Sequence, residues 1–265
     1  MDTVAGAWVL PGWTGYTTSF SLPVATSETK GSAHGHMSVT LEKQDEEALV
    51  AVVNSVTPAK PLLRGWMHLV WFEACLVLGT LALVHTHGAL RITGLAIFVV
   101  SVSLMFGVSA FYHRGNWSET WRVRLQRVDH AMIFLLIAGT ATPAFLIASH
   151  GVFRIACLAA LWGLTLAAGA IHMVWMNAPE LLVGSTFVAL GWVGGLAIPA
   201  VWVHSGVAAS LLLLVGGLLY TAGALSYRFR WPNPNPAVFG YHEVFHVYVC
   251  AAATCQFTAI AVFIA

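Results

Sequence analysis

Charge is scarce in this sequence: Asp, Glu, Lys and Arg together make up 9% of its 265 residues, where a soluble domain carries about 25%. A formal net charge of +1 leaves no basic surface of the kind that nucleic-acid binding needs. Alternation of apolar and polar residues is missing, which argues against a transmembrane barrel. Cysteine is limited to Cys75, Cys157, Cys250 and Cys255, each inside an apolar run. Thiols in such runs are expected to be packing residues rather than disulfide partners. The first residues lack the basic start of a secretory signal, and Gly6 and Pro11 break their weak apolar run.

What is abundant is apolar surface. Hydrophobic residues make up 58% of the chain, and its mean hydropathy is +0.78. A helix needs roughly 20 apolar residues to cross the hydrocarbon core. Seven such runs occur, at about 66–85, 91–111, 129–148, 152–174, 181–203, 206–227 and 243–264. Short breaks carrying turn or charged residues separate them, among them the polar stretch from Arg114 to Arg127 and the Trp231 to Pro236 segment. The expected fold is an all-α integral membrane protein, a bundle of seven transmembrane helices over residues 59–265.

The few cations orient it. With the N-terminus inside, Lys60, Arg64, Arg114, Arg122, Arg124, Arg127, Arg228 and Arg230 lie on the inner side, and Arg91 and Arg154 on the outer, a bias of eight to two. The N-terminus is therefore expected in the cytoplasm and the C-terminus outside. Residues 1–58, rich in Gly, Ser and Thr and then acidic, are expected to be a flexible cytoplasmic extension. Met37 is a second candidate start within it.

This orientation brings three polar groups to one edge of the membrane: Ser109 and His113 at the end of the second run, Asp129 and His130 at the start of the third, His242, Glu243 and His246 at the start of the seventh. His242 and His246 are four residues apart and share a helix face, as do Ser109 and His113. Zinc sites that do chemistry commonly use three protein ligands and leave a position for water. His113, His242 and His246 supply three nitrogens, and Asp129 an acid that can hold or deprotonate that water.

The His242-Glu243-x-x-His246 spelling also fits a soluble zinc protease. Such enzymes take their third ligand downstream, and no His, Asp or Glu follows in Val247 to Ala265. A membrane-embedded protease recruiting His113 or Asp129 stays open, as does a structural zinc with Asp129 as fourth ligand. A transporter would show more polar residues at mid-depth.

Lys60-Pro-Leu-Leu-Arg-Gly65, Ser109-x-x-x-His113, the block from Asp129 to Pro143, and His242-Glu-Val-Phe-His246 together resemble the hemolysin III branch of the progestin and adipoQ receptor family over residues 60 to 264. The resemblance implies seven helices with a cytoplasmic N-terminus in a bacterial inner membrane, a kinship with alkaline ceramidases, and a zinc near the inner face. It assigns the zinc to His113, His242 and His246, and the family's aspartate and serine to Asp129 and Ser109. Glu243 receives no such role, because its position varies in the wider family. The implied function is zinc-dependent hydrolysis of a lipid amide or ester within the bilayer, with a membrane lipid as substrate or ligand. The alternative is a receptor-like or membrane-perturbing protein with a structural zinc.

Other polar residues rank lower. Glu73 is expected at a hydrogen-bonded interior position of the first helix, and His68 and His172 beside the same cavity. His130 points about 100° away from Asp129 and is expected to be satisfied at the interface. His85 and His87 read as loop residues, and Pro143 and Pro199 as kinks.

Overall fold

Apolar runs in this chain become helices because only a helix satisfies its own backbone in lipid. The computed structural model describes residues 60–175 and 178–265, and the extension expected over residues 1–58 lies outside them. Seven α-helices follow in order: α1 Trp66–His85, α2 Ala89–Arg114, α3 Glu119–Ala148, α4 Gly151–Val174, α5 Glu180–Gly195, α6 Ile198–Phe229 and α7 Tyr241–Thr258. A π-helical turn, Ala259–Ile264, prolongs α7. Among the described residues there is no strand, only a bridge between Asn235 and Phe239. Six of the helices are long and apolar enough to cross a membrane, and the all-α membrane bundle is as expected.

The bundle is built around α2 and α3. Over their most apolar windows, 61% and 67% of residues are buried, against 17% for α1. Small residues make this possible: Ala138, Gly139, Thr140, Ala141, Thr142 and Ala144 on α3 are all buried. A Cβ on Gly139 would overlap Ser101 of α2, and one on Gly94 would come within 3.2 Å of the Pro143 Cα. Close approach of backbones is how helices associate where lipid competes equally for apolar side chains. The candidate site residues of α2 and α3 thus sit at the end of the most deeply buried pair.

Three expectations need correction. The stretch from Arg114 to Arg127 is not a loop; α3 starts at Glu119 and carries its polar end straight into the span. Residues Glu119 to Arg127 favour helix, and Glu119 accepts two bonds from Arg122 one turn on, at 2.6 and 2.9 Å. The expected fifth span, 181–203, is two pieces. Helix α5 stops at Gly195, and Leu196 and Ala197 close tight turns onto Val193 and Gly194. Pro199 has no N–H to carry the ladder across from Gly195. The chain then runs from Ile198 to Gly206, where a φ of 86° separates it from the rest of α6. Finally, Glu73 is exposed on α1 rather than interior. The buried stripe of that helix is His68, Cys75 and Gly79, and Glu73 falls about 140° away from His68 around the wheel.

The four cysteines are free. Interlocking ends confirm which helices start and finish together. Leu62 and Leu63 N–H groups donate to the Ala237 and Val238 carbonyls, each at 3.1 Å, joining the approach to α1 to the approach to α7. Lys60 Nζ donates to the Gly115 carbonyl just past α2, at 3.2 Å. At the opposite end Arg91 donates to the Ala265 carbonyl, also at 3.2 Å.

Candidate metal centre

His113 lies in the last turn of α2, and His242 and His246 occupy the first turns of α7. A spacing of four puts the latter two on one helix face, and the joined ends of α1, α2 and α7 bring His113 against them. Ring centroids are 4.7 Å apart for His113 and His242, 5.2 Å for His113 and His246, and 4.6 Å for His242 and His246. One nitrogen of each lies within 4.8 Å of the others, so the three can hold a metal ion. His113 and His246 are buried and His242 half-buried. Nδ1 of His246 has no hydrogen-bonding partner.

Asp129, on α3, is buried beside this group without joining it. Its Oδ2 is 3.6 Å from His113 Nε2, beyond a direct hydrogen bond. Ser109, one turn before His113, is also buried. Ser109, His113, Asp129, His242 and His246, expected together from the sequence, are thus gathered at one end of three helices.

Glu243 is committed elsewhere. It is 0% exposed; its Oε1 accepts from Arg64 Nε and its Oε2 from the Gly240 N–H at 2.8 Å. The second bond closes the start of α7 in the manner of a capping box. One oxygen therefore joins α7 to the segment before α1 and the other caps α7, so the carboxylate is engaged by the fold on both sides.

Gly65 completes that joint. Its φ of 77° is in the left-handed region, and an added Cβ would stand 2.9 Å from both His113 Cβ and Arg114 Cγ. The expected result of Gly65→Ala is a loss of about 1–3 kcal/mol of stability from backbone strain, with His113 displaced. Thermal unfolding in detergent, alongside metal content, measures both.

Reading the sequence missed one neighbour and anticipated another, His68. The Tyr227 ring of α6 stands 5.3 Å from His242 and 5.3 Å from Phe245, walling the site on one side; nothing in its spacing marked it. His68 lies at the cluster, stacked on His246 with centroids 3.7 Å apart. His172 instead pairs with His130, their Nδ1 and Nε2 atoms 3.0 Å apart, so both are satisfied between α3 and α4. His85 bonds its own helix, through Nδ1 to the Leu81 carbonyl at 2.8 Å.

Next to the cluster a surface cleft of about 260 Å³ is lined by Lys60, Arg64, Trp66, Arg114 and Asn116. Arg114 stacks on the Trp66 ring at 3.9 Å. Partial burial, then the nearby Arg64 and Arg114 cations, push the Lys60 ammonium below its ordinary pKa.

A family model described as haemolysin-III related matches residues 56–257. Hemolysin-3 homolog of Bacillus subtilis (strain 168) is 26% identical over 166 residues, covering 63% of this chain and 75% of that protein. Hemolysin-3 of Bacillus cereus is 29% identical over 174 residues, covering 64% and 75%.

Proposed function

This chain belongs to the haemolysin-III related family, and we propose that it is a zinc-dependent hydrolase of a lipid amide or ester, working at the cytoplasmic edge of the bilayer. Its spans and its bacterial relatives make it an integral membrane protein of the bacterial plasma membrane. The observation that carries the proposal is the cluster itself: three buried or half-buried histidine nitrogens within 4.8 Å of one another, with a carboxylate beside them and outside the set.

Three imidazoles suit zinc and leave the fourth position open. Zinc held by His113, His242 and His246 would lower the pKa of a water toward about 7 and polarise a carbonyl. Asp129 takes the proton of the attacking water, and Ser109 holds the Asp129 carboxyl in orientation for it. Tyr227 and Phe245 face the acyl portion near His242. The fatty chain lies between helices of a bundle whose outer surface is almost wholly apolar.

A second reading, favoured in its membrane-perturbing form by the hemolysin-3 names of both relatives, is a receptor-like or membrane-perturbing protein in which zinc staples α2, α3 and α7 with Asp129 as fourth ligand. Fatty-acid release from short-chain ceramide and a panel of lipid esters, in detergent, separates the two. The hydrolase releases fatty acid, loses activity to a chelator and regains it on zinc addition. A zinc-loaded protein that releases none contradicts the hydrolase and favours the staple.

A further inference from the structure

His68 is a polar residue in a place built for an aromatic one. It is 2% exposed, on the short buried stripe of α1. Its ring lies flat on His246, with 3.7 Å between centroids and 15° between planes, and edge-on to Phe106 at 4.9 Å and 88°. Neither ring nitrogen has a hydrogen-bonding partner. Buried polar atoms are nearly always paired, and leaving one unpaired costs stability.

Phenylalanine, though larger and needing its neighbours to give way, would offer the same ring contacts and remove two unpaired nitrogens. The fold alone therefore gives no reason for histidine here. His68 is also not one of the three histidines whose nitrogens converge. Its plane runs nearly parallel to that of His246, with 3.7 Å between centroids, so it lies against the cluster without being one of its converging members. Polar atoms carried at a cost beside a site are explained by a partner that arrives with the ligand.

We propose that His68 is a ligand-binding residue: its imidazole, held by the stack on His246, hydrogen-bonds the polar group of the molecule taken up at the His113, His242 and His246 centre. The ligand class, a lipid amide or ester, rests on the hydrolase reading; the unpaired nitrogens do not.

Cobalt-loaded protein titrated with octanohydroxamic acid, followed by the visible absorption of the metal, tests this without turnover. Wild type is expected to take up about one cobalt per chain and to change its spectrum on hydroxamate addition. His68→Phe is expected to hold the same cobalt and to bind hydroxamate about tenfold more weakly, the worth of one good hydrogen bond. His68→Gln, which restores a donor, is expected to recover part of that loss. Equal hydroxamate affinity in wild type and His68→Phe overturns the proposal. If His68→Phe does not fold, His68→Leu against His68→Gln makes the comparison, and equal affinities overturn the proposal. Wild type that binds no cobalt overturns the hydrolase reading instead, and the ligand class with it.

Discussion

Glu243→Ala is expected to destabilise the protein by about 3 kcal/mol, the lower end for removing one member of a buried ion pair. The lower end applies because the Arg64 side chain is 21% exposed and can find water once abandoned, whereas Glu243 is wholly enclosed. Loss of the Gly240 N–H acceptor adds to the effect, since it frees a donor at the first turn of α7. Glu243→Gln keeps one acceptor oxygen and sets an NH2 against the other donor, so one of the two bonds is lost, and it is expected to cost about 2 kcal/mol. Unfolding midpoints of the two variants in detergent give the order. The decisive comparison is turnover: a soluble zinc protease would lose it in Glu243→Gln, and this protein is expected to keep it once folded with zinc. Abolished turnover in folded, zinc-replete Glu243→Gln would show that the carboxylate handles the proton after all.

Asp129→Asn carries the opposite signature. The amide keeps the volume but has no basic oxygen, so kcat is expected to fall about 10²–10⁴-fold, the worth of a positioned general base. Zinc content should hold at the wild-type level, because Asp129 stands beside the three-histidine group and not within it. Stability should change little or rise, since a buried acid without an ion-pair partner is costly to the fold. Zinc lost together with activity would instead make Asp129 a fourth ligand and support the staple.

The site was legible because polar residues are rare here. In a chain with 9% charged residues, His113, Asp129, His242 and His246 stand out at span ends, and orientation alone brings those ends together. Charge in the same sequence misled where helix propensity outweighed it: Glu119 to Arg127 begin α3 in water and continue into lipid without a break. The division of α5 from α6 was only half readable, since Pro199 signals a kink but the stop at Gly195 depends on local turns. Glu73 was misplaced because hydropathy shows that α1 spans, not which face it buries, and its buried stripe is narrow. Least legible was the joint of Arg64 with Glu243. The two are 179 residues apart in the chain, and only folding shows that the glutamate of a protease-like motif serves the fold.

Zinc content tests the central claim most directly. Detergent-purified wild type, measured beside His113→Ala, His242→Ala and His246→Ala, is expected to carry about one zinc per chain and each variant almost none, because two remaining imidazoles hold the ion poorly. Wild type without zinc after purification in its presence, or single-histidine variants that keep a full equivalent, would contradict the metal centre described for this fold.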